Sequence, residues 1–335
     1  MARLRVERAG AGVAVQDFGR RNFRALGVPL SGALDPFFLA AANALAGAPE
    51  NAAGLELLLA APTLRVEQGP LRLGLAGDLS GVLTRADGAE EKIAGWRGLV
   101  LRDGDVVALR LSRSPAYLGF SGGLDVPEIL GARSTFLRGG FGGLGGRTLE
   151  HGDALACAQG DGAGLSAPPF SHAQGKIRFI PGPQVQNFAL RSLALFEASD
   201  WRVGADSDRM GMRLSGPRLA HGPAGANIVS DGATPGAIQV PGDGQPIVLR
   251  ADCQTSGGYA KIGCVIGADL GRLAHFAPGE MMGFTPVDHR QATQARQDLR
   301  ENFARWRAAV APDGESWDCG KLWSENLISG AISGK

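Results

Sequence analysis

The chain has 335 residues, a formal net charge of +1, 44% hydrophobic residues and 20% charged residues. At roughly 150 residues per domain, this length predicts two domains, each large enough to bury a core. The near-neutral charge without blocks of like charge argues against a nucleic-acid-binding protein and against disorder. No apolar signal segment opens the chain and no apolar run reaches the roughly 18 residues of a membrane span, so we expect a cytoplasmic protein.

The predicted elements are mostly short strands, because the 51 glycines imply many tight turns. An early helix is predicted between a capping Asp35 and a terminating Gly47, and a second, amphipathic helix over residues 288–310. Strands are predicted at 71–75, 98–101, 106–111, 116–120, 176–180, 237–240, 246–249 and 259–266. A Gly-, Ser- and Pro-rich linker at 160–175 separates the halves. The predicted domains are 1–165 and 176–310, with a tail at 311–335, and each domain is expected to be a β-barrel or sandwich.

Two glycine motifs invite a functional reading that their context does not support. Residues 140–145 match G-x-G-x-x-G, but no helix start follows, which favours a plain glycine loop. Residues 119–123 match G-x-S-x-G, but no long helix follows to present the hydroxyl, which favours a structural turn. The sequence contains no P-loop.

The cysteines and histidines show no metal-binding spacing, so we predict neither structural zinc nor disulfides and no metal site. Cys253 lies near Lys261 and Arg250 in sequence, which could activate a thiol, but a half-buried strand residue is the favoured interpretation. His275, like His151, His221 and His289, has no consistent partner in sequence and is expected to be a surface or packing residue.

The most unusual segment is 238–262, where polar groups lie among strand-forming residues around a tight glycine pair. Apolar alternation does not require such groups, so the segment is expected to form a wall of a site. Its polar members are Gln239, Asp252, Gln254, Thr255, Ser256 and Lys261, around Gly257 and Gly258. An earlier run at 206–213 adds two acids and two arginines around a glycine.

These segments carry a resemblance to a known family. The strings are S-D-R-M-G-M-R-L-S-G-P from 207, G-A-I-Q-V-P-G-D-G-Q-P from 236, D-C-Q-T-S-G-G-Y-A-K-I from 252 and A-D-L-G-R-L-A-H-F-A-P-G-E from 268. Near the N-terminus, V-Q-D-F-G-R from 15 and G-V-P-L-S-G-A-L-D-P from 27 agree with them. Together they resemble the family variously called the 5-oxoprolinase C subunit, Kip antagonist, allophanate hydrolase subunit 2 or biotin-dependent carboxyltransferase. The resemblance covers roughly residues 3–288.

The resemblance implies a mainly β fold with two cyclophilin-like β-barrel domains and a few decorating helices. It implies a chain that works with a B-type, Kip-inhibitor-like subunit to activate 5-oxoproline with ATP and Mg, the ATP site being shared with that partner. An A subunit then completes ring opening to glutamate. The alternatives are the carboxyltransferase component of a biotin-dependent urea or amide carboxylase, with biotin on another chain, and a Kip-antagonist-like regulator.

The same resemblance suggests roles for individual residues. Lys261 or Arg209 would neutralise charge that develops on an amide oxygen, and Asp252 would orient Lys261 or act as a base. Gln239 and Gln254 suit the N–H and C=O edge of a lactam. The other predicted substrate-binding residues are Thr255, Ser256, Gly257, Gly258, Tyr259, Met210 and Ser31. Ser31, Asp35 and Gln16 are expected to face the partner or the cleft, although a helix cap explains Asp35 equally well.

Three positions depart from the family pattern. The family usually has glycine at the position of Asn22, asparagine at that of Asp208 and a basic residue at that of Cys253. The last two changes alter the charge beside the predicted site, so they bear on the identity of the substrate.

Overall fold

The computed structural model describes residues 1–313. The first half contains β1 (Ala2–Arg8), β2 (Ala11–Gln16), α1 (Pro36–Ala46), β3 (Gly54–Ala60), β4 (Thr63–Gln68), β5 (Leu71–Ala76), β6 (Leu79–Thr84), β7 (Glu90–Ala94), β8 (Arg97–Leu101), β9 (Val106–Leu111), β10 (Ala116–Phe120), β11 (Ala154–Cys157) and β12 (Leu165–Ser166). The second half contains β13 (Ile177–Pro181), α2 (Leu190–Ala198), β14 (Asp200–Val203), β15 (Gly211–Ser215), β16 (Asn227–Gly232), β17 (Ala237–Gln239), β18 (Ile247–Leu249), β19 (Ser256–Tyr259), β20 (Lys261–Val265), α3 (Leu270–Leu273), β21 (Met281–Pro286), α4 (His289–Ala308) and β22 (Ala311–Pro312).

The first half consists of two sheets that enclose one core. One sheet has the order β11-β1-β4-β9-β6-β7, and the other has β2-β3-β10-β5-β8-β12-β22. In β1, alternate residues are buried, as expected of a strand with one face on a core. Leu4 and Val6 of the first sheet belong to the same apolar cluster as Leu73 and Leu75 of the second.

The second half is a closed barrel with the strand order β13-β20-β17-β18-β15-β14-β21. It closes because β13 pairs with β20 on one side and, in parallel, with β21 on the other. Phe179, Trp201 and Phe284 lie in its apolar core. Within residues 1–313, strands β16 and β19 pair only with each other and form a two-stranded ribbon beside the barrel, called the β16–β19 ribbon below. The mainly β prediction, with a barrel, is confirmed.

Helix α1 confirms the first helix prediction. The Asp35 carboxylate accepts hydrogen bonds from Phe37 N and Phe38 N, Pro36 occupies the first turn, and Gly47 ends the helix in the left-handed region with φ +69°. The helix is buried because it packs on β5 and β10. That contact requires Gly119, where a Cβ would overlap the backbone of Ala42.

Helix α4 confirms the second helix prediction and links the halves. Asp288 and Gln291 form a reciprocal capping box at its start. Its buried face includes Phe303 and Trp306, which belong to one aromatic cluster with Phe170. The chain then returns to the first half, where β22 pairs with β12. The part of the predicted tail at 314–335 lies outside the described residues.

The strand predictions agree with the structure except at 259–266. There the chain forms the end of β19 and then β20, separated at Ala260, because the ribbon leaves the barrel and Ala260 N donates to Ala226 O. The G-x-S-x-G segment is a structural turn in which Ser121 Oγ bonds to the backbone of Arg72. No helix follows the glycine loop at 140–145 before β11. In residues 1–313, no helix has the length and apolar character needed to cross a bilayer.

Candidate functional site

A buried ion network joins the two halves. Arg209, just before β15, donates Nε to Asp252 Oδ2 at 2.9 Å and Nη2 to Asp252 Oδ1 at 3.1 Å. Its Nη1 donates to Glu56 Oε1 of β3, and its Nη2 also donates to Gly32 O at 2.6 Å. Arg209 is 8% exposed, Asp252 4% and Glu56 1%. A guanidinium paired in this way on three sides acts as a junction between the halves.

The network continues into the first half through Tyr117. Tyr117 donates its hydroxyl to Glu56 Oε2 at 2.7 Å and accepts from Asp35 N at 2.8 Å. Burial, together with the charges of Glu56 and Asp35, raises the pKa of Tyr117 well above its usual value. Burial acts to lower the pKa of Arg209, but the attraction of Glu56 and Asp252 outweighs it, so that pKa is raised. Arg209 therefore remains a cation throughout the physiological range.

A cavity of ≈ 510 Å³ lies beside this junction between the halves. Arg209, Met210 and Asp252 line it from the second half, and Leu34 and Leu58 line it from the first. Arg250 also lines it, and burial lowers the pKa of Arg250 to about 10. The cavity therefore combines an apolar wall with the ion pair of Arg209 and Asp252 and with the guanidinium of Arg250, which donates to Asp208 O.

A second polar cluster lies under the β16–β19 ribbon. Lys261 is 5% exposed, and its Nζ lies 2.9 Å from Asp231 Oδ2. Gln184 donates its Nε2 to the same Asp231 oxygen at 3.3 Å, while its Oε1 accepts from Lys261 N at 3.3 Å. The side-chain hydrogen bond from Lys261 lowers the pKa of Asp231. An ammonium is thus held under the ribbon by an exposed carboxylate.

Two glutamine amides lie next to this ammonium. Gln239 of β17 is the cross-strand partner of Lys261 of β20, so the two residues are neighbours on the barrel wall. Gln254 Nε2 lies 3.5 Å from Gln239 Oε1, the length of a weak hydrogen bond. The Nε2 of Gln239 is buried and has no hydrogen-bond partner among the described residues. It is a free donor in a polar recess that also contains a cation.

Glycine at position 257 lets the ribbon lie over these amides. A Cβ on Gly257 would overlap Gln239 Nε2, whereas a Cβ on Gly258 would make ordinary contacts. Gly257 pairs with Asp231 across the ribbon, which places the carboxylate and the glycine at the same level. The recess is therefore formed by Gln239, Gln254 and Lys261, and the register of the ribbon places Gly257 over it.

The remaining predicted site residues divide between these places. Ser256 and Tyr259 are exposed on the ribbon, and Thr255 is half-buried and accepts from Ala233 N. Met210 lines the cavity at the junction. Ser31 is buried with φ +53°, and its N donates to Ala251 O. The predicted site residues therefore form two neighbouring clusters, and residues 251–254 connect these clusters along the chain.

One predicted pairing needs correction. The hypothesis that Asp252 orients Lys261 is wrong in its geometry, because Arg209 binds both Asp252 oxygens and Lys261 is paired with Asp231. Sequence analysis did not single out Asp231, which lies in a polar stretch without a distinguishing signal. It also missed Glu56, although a lone acid in an apolar strand needs a buried cation, and that was a usable signal.

The three departures from the family pattern have local explanations. Asn22 has φ +72°, a conformation that glycine and asparagine adopt most readily. Asp208 Oδ1 accepts from Met210 N and Gly211 N, a turn that an asparagine oxygen can also make. Cys253 is 0% exposed, and burial raises its pKa to about 11, so the thiol is a packing residue; it is fully buried in the loop between β18 and β19 rather than half-buried in a strand as the sequence favours.

The expectation that His275 has no partner is wrong. His275 Nε2 lies 2.8 Å from Asp35 Oδ2, and His172 Nε2 lies 2.6 Å from the same oxygen. The three residues are more than 100 positions apart in sequence, so local spacing could not reveal the contact.

Comparison with known proteins identifies relatives along most of the chain. Residues 26–286 match the family model described as carboxyltransferase domain, subdomain A and B. The 5-oxoprolinase C subunit of Escherichia coli is 38% identical over 316 residues, which cover 91% of this chain and 98% of that protein. The protein of the same name from Haemophilus influenzae is 34% identical, and the match covers 84% of this chain and 91% of that protein.

A solved structure gives the same result for the fold. The Kluyveromyces lactis urea carboxylase superposes with a TM-score of 0.81 at 27% identity, over 93% of this chain. The match covers 30% of that longer chain. The arrangement of a two-sheet half and a barrel is therefore shared with a domain of a larger enzyme.

Proposed function

The chain belongs to the carboxyltransferase family with subdomains A and B, and we propose that it is the C subunit of an ATP-dependent 5-oxoprolinase. The observation that carries the proposal is the match to the Escherichia coli C subunit along 98% of its length at 38% identity. The substrate is then 5-oxoproline, whose lactam must be activated before the ring opens to glutamate.

The recess under the β16–β19 ribbon offers the groups that a lactam needs. Amide resonance makes both the nitrogen and the carbonyl carbon unreactive, so a catalyst must stabilise charge on the amide oxygen or remove the N–H proton. Lys261 supplies a nearly buried positive charge for that oxygen, and such a charge is worth more there than in water. The free Nε2 of Gln239 and the amide of Gln254 supply a donor and an acceptor for the lactam edge.

Asp231 regulates the charge that Lys261 presents. The Asp231 side chain is 52% exposed, so it can turn towards solvent at little cost. A lactam oxygen that takes its place would then face the ammonium directly. We assign Asp231 to hold Lys261 in position until substrate binds.

The buried pair Arg209–Asp252 has a positioning role in this proposal. Each donor nitrogen of Arg209 is already engaged, which leaves little capacity for a substrate oxygen. Asp252 N also donates to Arg209 O at 2.9 Å. These contacts fix the start of the 252–256 segment, which carries Gln254, Thr255 and Ser256 towards the ribbon.

ATP and Mg are part of the proposal, as co-substrates shared with a partner subunit. Backbone N–H groups near Gly257 and Gly258 and the hydroxyls of Thr255 and Ser256 suit a phosphate or carboxylate. Lys261 is the cation of this recess in the described residues, and it is already paired. A nucleotide triphosphate therefore needs further cations, which we assign to the B-type subunit.

The ribbon is the proposed docking place for that B-type subunit. Val229 is 94% exposed and Tyr259 41% exposed, so the ribbon presents an apolar surface next to the recess. A partner that covers this surface would exclude water from Lys261 and strengthen its field. Ring opening to glutamate is then completed by the A subunit.

The test is reconstitution with the purified A and B subunits, following ATP-dependent formation of glutamate from 5-oxoproline. Lys261→Met should lower turnover at least 100-fold while binding of the B subunit is kept, and Lys92→Met, at an exposed position of β7, should have no effect. No turnover by the wild-type complex, with A and B subunits shown to be active with a known C subunit, would refute the function. Normal turnover by Lys261→Met would refute the role of the ammonium.

The urea carboxylase superposition supports a second candidate, transfer of a carboxyl group from carboxybiotin to an amide nitrogen. The same recess would then bind urea or another amide, with biotin carried by a separate chain. Assays with urea and a biotinylated carrier distinguish the two, because the biotin-free carrier must give no product. Partner binding without turnover in either assay would instead indicate a regulatory module.

A further inference from the structure

Three side-chain atoms that could bind a metal ion lie close together, outside the recess proposed for the lactam. His172 Nε2 and His275 Nε2 approach the same oxygen, Asp35 Oδ2, at 2.6 Å and 2.8 Å. All three atoms lie within 4.8 Å of one another. In the part of the chain that the structure describes, this is the one cluster of three residues with metal-ligand geometry.

We propose that Asp35, His172 and His275 form a binding site for a divalent transition metal, for which Zn²⁺ is the best match. Two imidazole nitrogens and one carboxylate oxygen are a donor set that zinc uses when it keeps a fourth position open. At zinc–ligand distances of about 2.0–2.1 Å, neighbouring ligands in a tetrahedron lie about 3.3 Å apart. The two separations between the imidazoles and Asp35 Oδ2 therefore need to grow by about 0.5–0.7 Å, which small side-chain rotations allow.

The surroundings hold the carboxylate ligand in place. Asp35 is 0% exposed, and its Oδ1 accepts from Phe37 N at 3.0 Å at the start of α1, which leaves Oδ2 for the imidazoles. Gly271 lets the chain pass close to this carboxylate, because a Cβ there would lie 2.8 Å from Asp35 Oδ1. Such outer contacts orient a ligand before a metal arrives.

Aromatic rings fix the two imidazoles. Phe38 stacks on His172 at 5.6 Å with an interplanar angle of 6°, and its centroid is 4.5 Å from that of His275. Phe170 meets His172 edge-on at 5.4 Å. His172 Nδ1 is buried without a hydrogen-bond partner among the described residues. The ring is therefore oriented by packing and by its Nε2, as a pre-organised ligand would be.

A cavity gives access to the cluster. It has a volume of ≈ 550 Å³, and both histidines line it with Phe38 and Phe170. Arg113 and Arg272 also line it, but Arg113 is paired with Glu280 and Arg272 with Asp269. Both guanidinium groups are thus engaged by carboxylates, although Asp269 is shared with Arg178, and the cavity leaves room for a water at the fourth metal position.

The ligands come from three separate parts of the chain. Asp35 belongs to the first half, His172 to the segment between β12 and β13, and His275 to the second half after α3. A bound metal would tie all three together. Each imidazole binds through a deprotonated Nε2, so the ring proton moves to Nδ1 in the metal-bound form.

The test is a cobalt titration of the full-length, tag-free chain after chelator treatment, followed by zinc competition. We expect one Co²⁺ per chain, visible d–d bands without a thiolate charge-transfer band, and displacement by Zn²⁺. His172→Gln and His275→Gln should each weaken binding at least 10-fold, whereas His289→Gln, at an exposed position, should not. Glutamine keeps a donor for Asp35, and circular dichroism in metal-free buffer checks the fold of each variant.

Three results would overturn the site: no stoichiometric Co²⁺ binding by the wild type, wild-type affinity in both glutamine variants, or a thiolate band that shows cysteine ligands. If a variant does not fold, the stoichiometry and spectrum of the wild type still decide. The titration uses neither partner subunits nor 5-oxoproline. Its result is therefore independent of the proposed function.

Discussion

Arg209 of the second half and Glu56 of the first half form an ion pair that is almost completely buried. Asp252 binds the same guanidinium from the other side, so one cation compensates two carboxylates. Removing two carboxylates from water is costly, and the cost is recovered only while their partner stays in place. The two buried carboxylates at this point of the junction therefore share a single hydrogen-bonded cation.

Replacing Arg209 with methionine should strongly destabilise the protein. Glu56 and Asp252 would be left buried without their cation, and breaking a buried pair in this way costs about 3–5 kcal/mol. The free energy of unfolding from denaturant titration measures the loss.

The matched control is Arg213→Met, four residues further along. Arg213 pairs with Asp206 at 2.9 Å, but both side chains are more than half exposed. An exposed pair of this kind contributes about 0–1 kcal/mol. Equal losses in the two variants would contradict the importance of the buried junction.

Local signals in the sequence were sufficient to predict α1, α4 and eight of the strands, but α2, α3 and the remaining strands were not predicted. Asp35, Pro36 and Gly47 define the ends of α1, and the spacing of Phe303 and Trp306 defines the buried face of α4. Each of these signals acts within a few residues, where capping and periodicity decide the structure. The break at Ala260 was missed because it depends on how the ribbon leaves the barrel.

The candidate site was only partly predictable from the sequence, because some of its contacts join segments that are distant along the chain. Gln239, Gln254 and Lys261 were identified because polar groups are unusual in a strand-forming segment. Their partner Asp231 was not, because a carboxylate in a polar stretch has no distinguishing pattern. Glu56 meets Arg209 only through the packing of the two halves, and Asp252 meets it beside the β15–β18 pairing of the barrel, and no local rule contains either contact.

The thiol of Cys253 should be unreactive in the folded protein. Burial raises its pKa to about 11, so about one molecule in 10,000 carries the thiolate at pH 7. Alkylation followed by peptide mass spectrometry should leave Cys253 unmodified in native protein and modify it fully after denaturation. Rapid labelling of native Cys253 at pH 7 would show that the thiol is accessible and activated.

The stability of the protein should depend on Asp269 in acid. Its carboxylate accepts from Arg178 Nη2 at 2.6 Å and Arg272 Nη1 at 2.9 Å. Burial acts to raise the pKa of Asp269, but the hydrogen bonds and charges of the two arginines outweigh it, so that pKa lies below its usual 3.8. A lowered pKa in the folded state stabilises the fold above the unfolded pKa, and this stabilisation is lost as the pH falls through the folded value.

Asp269→Asn should therefore be less stable than the wild type at pH 7, and the difference should shrink as the pH falls below about 4. Urea titrations from pH 7 to pH 3 measure it. Glu90→Gln, at an exposed position of β7, serves as the control and should show no such convergence. A difference that stays constant with pH would mean that the charge of Asp269 does not contribute.

Gly257→Ala tests whether the glycine allows the recess to form. A methyl group at this position would overlap Gln239 Nε2, which must then turn away from Lys261 and Gln254. Because the obstruction is one flexible side chain, the fold should persist with a stability change below about 1 kcal/mol. In the reconstituted complex, we expect KM for 5-oxoproline to rise about 10-fold, since the lactam loses one hydrogen bond.

Gly258→Ala is the matched control, because a Cβ there meets Ile228 O at an ordinary 3.6 Å. This substitution restricts the backbone of the ribbon in the same way as Gly257→Ala, but its methyl group does not contact Gln239. An unchanged KM for 5-oxoproline in Gly258→Ala together with a raised KM in Gly257→Ala would locate the lactam edge at Gln239. Equal effects in both variants would instead attribute the loss to stiffening of the ribbon, and the role of the glutamine amide would have to be abandoned.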